Sequence, residues 1–142
     1  MTINYRVFGY EDYAQARALW ERASGVGLSD ADSPEGIRTY LERNPGTSFV
    51  ATDARIVVGT VLCGHDGRRG LIHHLATADS YRRRGIATVL LQSGLRALRA
   101  RGIDKCHLFV FRANAEGTAF WRAVAAEERT ELALFSLPTK GD

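Results

Sequence analysis

The stretch Leu71-Ile72-His73-His74-Leu75-Ala76-Thr77-Ala78-Asp79-Ser80-Tyr81-Arg82-Arg83-Arg84-Gly85-Ile86-Ala87 changes its period halfway along. Gly70 to Ala78 reads as a strand, whereas Ile86, Val89, Leu90, Ser93, Ala97 and Leu98 recur at steps of three and four, the signature of a helix. Gly102 closes that helix. Between the two lies a basic turn that ends on Gly85. A strand entering a helix through such a turn aims several backbone N–H groups and the positive helix end at one point, which suits a phosphate or pyrophosphate. Gly85 admits a positive φ or a close approach of backbone to the anion, and the small Ala87 keeps the first helical turn unobstructed.

Upstream, Ile3 to Phe8 alternates as a strand, and Glu11 to Arg22 reads as a helix stopped by Gly25 and Gly27. Ser33-Pro34-Glu35 offers an N-cap followed by proline at the first helical position, starting a second helix that runs to Glu42. Ser48 to Thr52 and Arg55 to Cys63 form a hairpin about Asp53-Ala54, and Gly64-His65-Asp66-Gly67 makes the next turn. Downstream, Lys105 to Phe111 reads as a strand, Asn114 to about Ala126 as a helix and Glu131 to Leu137 as a last strand. The order β α α β β β α β α β predicts one mixed α/β (α+β) sheet, mostly antiparallel, with helices on both faces.

The 142 residues, 45% hydrophobic and 25% charged, have the balance of one ordinary globular domain, residues 1–142. No apolar run approaches the ~18–20 residues of a bilayer span, so no membrane partner is expected. The N-terminus lacks a basic segment followed by an apolar one, which makes a cytoplasmic location the expectation. Cys63 and Cys106 lie in apolar strand-like runs and are expected to stay reduced. No metal is expected, because the spacing of Cys63, His65, His73 and His74 matches no compact zinc pattern. Net charge is +3, but residues 71–112 hold 8 Lys or Arg against only Asp79 and Asp104, so an anion belongs there. Nucleic acid is not expected, since only Tyr81 offers an aromatic beside the arginines. A solvated run is the plain alternative for Arg82, Arg83 and Arg84.

Leu75-Ala76-Thr77, Tyr81-Arg82, Gly85 and Ala87 match in register the acetyl-CoA-binding motif of the GNAT N-acetyltransferases, which this stretch resembles. The element order is also that family's order. Asn114, Ala119 and Phe120 are similar to its second motif, and Phe8, Leu19-Trp20-Glu21-Arg22, Val58-Gly59-Thr60 and Asp66-Gly67-Arg68-Arg69-Gly70 look like its short single-domain bacterial members.

The resemblance implies an acetyl-CoA-dependent N-acetyltransferase that moves an acetyl group to a primary amine by direct attack in a ternary complex. It implies that acetyl-CoA wedges between the fourth and fifth strands, with pantetheine amides on backbone groups of Leu75 and Thr77. A backbone N–H near Leu75 or Ala76 would polarise the thioester. The pyrophosphate would rest near Arg82, Arg83, Arg84, Gly85, Ile86, Ala87 and Thr88, and Asn114 would touch the pantetheine or its neighbourhood. The family often places a base two residues before the leucine, here His73, whose imidazole titrates near neutrality. Strand alternation points His74 to the opposite face, so only one of the pair is expected in a given pocket.

Where many family members carry a tyrosine that protonates the departing thiolate, this chain has Trp121, whose indole has no proton to give. A water or Thr118 is the substitute. The alternative reading is an acyl-CoA-binding sensor with little catalysis. Asp30, Asp32 and Glu35 lie in the segment where the family selects its acceptor, a small-molecule or protein amine, and capping explains them equally well. The exposed sheet edges suit a homodimer.

Overall fold

The alternation at the N-terminus is realised as β1 (Ile3–Val7) in the computed structural model, which describes residues 2–140. A 3₁₀ turn at Tyr10–Asp12 precedes α1 (Tyr13–Arg22), so this helix begins two residues later than its acidic first turn suggests. The cause is Asp12, buried and bound to both terminal nitrogens of Arg6 at 2.7 Å and to the Gly9 N–H at 2.9 Å. Ser33 caps α2 (Pro34–Arg43) by accepting the Gly36 N–H at 3.0 Å, with Pro34 at the first helical position as expected.

β2 (Phe49–Asp53), β3 (Ile56–His65) and β4 (Gly70–Thr77) follow as an antiparallel meander, then α3 (Ile86–Ala100) and β5 (Cys106–Leu108). The sheet order is β1-β2-β3-β4-β5, antiparallel throughout except for the parallel pair β4–β5, which the α3 crossover makes. Helices cover both faces of β3. On one, Trp20 of α1 donates from Nε1 to Thr60 Oγ1 at 2.9 Å; on the other, a Cβ at Gly94 of α3 would collide with Cys63 Sγ.

Trp20 is fully buried and packs with Phe8, Leu19, Ile37, Val50, Val57 and Leu62. Removing that ring leaves a cavity and orphans the Thr60 hydroxyl contact, so Trp20→Ala is expected to cost about 3–5 kcal/mol. Urea unfolding checks this. A loss below about 1 kcal/mol would mean that the core around α1 is not the one described.

The described residues fall into two compact units divided after Phe109. The second holds α4 (Ala115–Ala123), shorter than its sequence pattern because Ala125 adopts a positive φ of 66° and the Ala126 N–H turns back to the Trp121 carbonyl.

Two expected strands are corrected. β5 covers three residues rather than Lys105 to Phe111, because its ladder with β4 ends at Ile72↔Leu108. Glu131 to Leu137 forms no strand at all. Alternation makes a strand only where the backbone finds a ladder, and here Phe135 and Leu137 are 88% and 90% exposed. Among the described residues no helix is long and apolar enough to cross a membrane. No group of three or more His, Cys, Asp and Glu gathers as a metal site among them either.

Candidate functional site

β4 is paired on both sides only at its start. Toward β3 the ladder continues to Gly59↔Thr77, whereas toward β5 it stops after Ile72, so among the described residues one edge from His73 to Thr77 has no strand paired to it. The break coincides with a bulge. Leu62 pairs with His73 and Thr60 with Ala76, so a step of two on β3 opposes three on β4, and His74 takes a left-handed φ of 50°. A bulge bends its strand away from a neighbour's line, which ends the β5 ladder here.

The bulge is held by side chains from distant elements. Thr60 Oγ1 donates to the His74 carbonyl at 2.8 Å, and the His74 ring packs on Trp20 with centroids 4.7 Å apart. His74 Nε2 lies 2.6 Å from Asp32 Oδ1, the imidazole N–H donating to the carboxylate. Asp32 sits in a 3₁₀ turn at Asp30–Asp32. Its Oδ2 accepts the Ser29 N–H at 3.0 Å, and its carbonyl accepts the Tyr13 hydroxyl at 2.6 Å. A left-handed histidine costs on the order of 1–3 kcal/mol, and such strain persists where the surroundings over-determine it.

His73 and His74 therefore line one cleft of about 740 Å³, together with Asp32, Glu35, Tyr40 and Arg43. This corrects the expectation from strand alternation that only one histidine could face a given pocket. The extra residue of the bulge resets the alternation. The His73 imidazole is pushed below the usual histidine value by burial first and by His74 second, against an opposing pull from Asp32. A neutral imidazole in a cleft is a proton acceptor at physiological pH.

At its far end β4 meets a 3₁₀ turn at Asp79–Tyr81 and then the arginines. Arg83 and Gly85 both have positive φ, 63° and 79°, which curls the chain so that successive N–H groups turn toward one side. Among the described residues no side chain caps α3, so the N–H groups of Ile86, Ala87 and Thr88 have no partner within the helix, and a Cβ at Gly85 would meet nothing within 4 Å. Tyr81 donates to Asp53 Oδ2 at 2.5 Å, and the Arg84 guanidinium lies over the Tyr81 ring at 5.2 Å. Arg82 Nε reaches Asp79 Oδ1 at 3.3 Å. The turn is thus pinned to the sheet through Tyr81 and Asp53.

Thr77 Oγ1, on the unpaired stretch of β4, is buried without a hydrogen-bond partner among the described residues. A strand edge open from His73 to Thr77, an orphaned hydroxyl on it and an uncapped basic helix start beyond it fit a ligand with amides at one end and a pyrophosphate at the other. That is the build of acetyl-CoA. Leu75, Ala76, Thr77, Arg82, Arg83, Arg84, Gly85, Ile86, Ala87 and Thr88 are all brought onto this continuous path. Asn114 belongs to the second unit, where its Oδ1 accepts the Gly117 N–H at 2.9 Å as the N-cap of α4. Phe120 and Trp121 form an edge-to-face pair in the same helix, with centroids 5.1 Å apart.

The profile of the Acetyltransferase (GNAT) family matches residues 13–125. Acetyltransferase SG1711 of Sodalis glossinidius is 38% identical over 106 residues, 74% of this chain and 73% of that protein. Among solved structures, a predicted acetyltransferase from Clostridium acetobutylicum with acetyl-CoA superposes with a TM-score of 0.76 at 18% identity, covering 95% of this chain and 96% of the other. Diaminobutyrate acetyltransferase EctA from Paenibacillus lautus, in complex with L-2,4-diaminobutyric acid and coenzyme A, gives 0.74 at 20% identity over 87% and 75%. The chain belongs to the acetyltransferase (GNAT) family and is an enzyme of the N-acetyltransferase class.

Proposed function

We propose that the chain transfers the acetyl group of acetyl-CoA to a cationic primary amine by direct attack in a ternary complex, with no covalent enzyme intermediate. The observation that carries this reading is the opened edge of β4, which leads from the uncapped start of α3 to a cleft holding a half-buried imidazole. When bound, acetyl-CoA supplies the acetyl group as a thioester that an uncharged amine can attack.

The chain's own groups divide the work. Backbone groups of Leu75 and Thr77 complete the open ladder against the pantetheine amides. Arg82, Arg83, Arg84 and the N–H groups from Gly85 to Thr88 hold the pyrophosphate. A backbone N–H at Leu75 or Ala76 meets the charge that develops on the carbonyl oxygen. An ammonium has no lone pair, so a nitrogen of His73 takes one proton before attack; the C–N bond then forms as the C–S bond breaks, and CoA leaves as the thiolate and takes up the second proton that the amine nitrogen sheds. Asp32, whose carboxylate lines the same cleft, draws the cation in.

Asp32→Asn keeps the size and removes the charge: its one oxygen keeps the Ser29 N–H, and its Nδ2–H donates to His74 Nε2 in the other imidazole tautomer. It is expected to raise KM for the amine roughly tenfold, about 1.4 kcal/mol, and to leave acetyl-CoA affinity within twofold. Initial rates against amine concentration check this, and an unchanged KM would remove Asp32 from acceptor binding.

The reading as a whole is tested by calorimetric titration with acetyl-CoA and CoA, followed by thiol release across a panel of primary amines. Micromolar binding with amine-dependent release is the expected result. Binding without release for any amine overturns the transfer, and no binding overturns the site.

A further inference from the structure

The cleft is polarised along one face of α2. Glu35, Thr39 and Arg43 recur at every fourth residue and all line it, with the acid in the first turn of the helix and the base in the last. At 1.5 Å per residue their backbones span about 12 Å. Asp32 adds a second carboxylate at the Glu35 end, so the cleft runs from negative to positive.

Neither Glu35 nor Arg43 forms an ion pair or side-chain hydrogen bond among the described residues. The nearby cations are otherwise engaged. Arg38 of the same helix lies over the Tyr10 ring at 4.1 Å. Across Tyr40 and Asn44, in an adjoining cavity of about 430 Å³, Arg68 pairs with Asp66 at 3.6 Å and Arg69 with Asp104 at 3.2 Å. Arg43 is the guanidinium left to meet an anion in the cleft.

The helix dipole favours an acid early and a base late in α2, but it acts on any face of the helix. It does not require that both charges look into the cavity that holds His73 and His74.

We infer that the acceptor is a basic amino acid that carries a carboxylate as well as its reacting amine. This rests on the amine-acetylating function proposed above. The amine to be acetylated enters from the Asp32 and Glu35 end, where Asp32 binds His74, and reaches His73, whose ring packs on Tyr40 farther along α2, while the carboxylate pairs with Arg43, whose planar fork matches it. A carboxylate and a guanidinium eight residues apart on one helix face suit an amine and a carboxylate separated by several bonds. The side-chain amine of a diamino acid meets that requirement better than the α-amine of a simple amino acid.

Matched pairs that differ only in the carboxylate test this: L-ornithine against putrescine, and L-lysine against cadaverine, with thiol release as the readout. The wild-type enzyme is expected to show kcat/KM at least tenfold higher for each amino acid than for its decarboxylated partner. Arg43→Met is expected to collapse that ratio to within threefold of one. Mere damage to α2 would lower both rates and leave the ratio standing, which would overturn the assignment. A wild-type ratio near or below one overturns it too. If no amine of either kind releases thiol although acetyl-CoA binds, the acetyl-transfer reading itself fails, a result distinct from equal rates.

Discussion

Gly85→Asp is expected to weaken CoA binding at least a hundredfold while leaving the melting temperature close to that of the wild type. Gly85 sits at the N-cap of α3 with φ 79°, and a Cβ there has no atom within 4 Å to strike. Aspartate and asparagine are among the few side chains that tolerate this left-handed backbone, and both are good N-cap residues. The fold therefore has little reason to resist. The ligand does, because a carboxylate at the helix start occupies the position that the pyrophosphate needs. Two unit charges at 4 Å repel by about 4 kcal/mol at an effective dielectric constant of 20, more than the roughly 2.7 kcal/mol of a hundredfold loss. Gly85→Asn has the same shape without the charge and isolates the steric part. It is expected to bind CoA more tightly than the aspartate variant by at least tenfold. Calorimetric titration with CoA and thermal melting of the three proteins provide the comparison. Retained affinity in Gly85→Asp would show that the pyrophosphate does not rest on this helix.

The strand-to-helix turn was legible because its signals are local. A strand-period run, a basic turn, one glycine and a helix-period run follow each other directly between Gly70 and Leu98, and each part is set by its own neighbours. The cap at Ser33 and Pro34 is local in the same way. The cleft that His73 and His74 line is different. Whether His74 faces His73 depends on the bulge, and the bulge is held by Thr60, Trp20 and Asp32, the last of them 42 residues away. Nothing in His73-His74-Leu75 by itself marks a left-handed residue. Asp32 and Glu35 could be suspected from their place between the first two helices, but Tyr40 read only as an ordinary helix residue and Arg43 as the residue just past the helix end. The C-terminal segment failed in the opposite sense. Glu131 to Leu137 alternates, yet alternation reports only a suitability for pairing, and a ladder needs a second strand.

Replacing His73 by glutamine is expected to lower kcat at least a hundredfold, within the range that general bases contribute, and to leave acetyl-CoA affinity within twofold. The pH profile carries the distinction between a chemical and a structural role. A base works in its neutral form, so kcat/KM falls as pH drops through the pKa of that imidazole. Burial and then His74 hold it below the usual histidine value, so the wild type is expected to keep activity further into acid than an ordinary imidazole would allow. Glutamine cannot titrate, and that limb disappears, leaving the amine's own deprotonation at higher pH. Stability follows the same sign. A folded-state value below the unfolded one of about 6.5 means that stability present above pH 6.5 is lost as pH falls toward the folded value, and His73→Gln is expected to remove that part of the acid sensitivity. His74→Gln serves as the control, since that ring is engaged by Asp32 through Nε2 and packed on Trp20. A limb that survives in His73→Gln and vanishes in His74→Gln would move the proton to the Asp32-bound ring and overturn the assignment to His73.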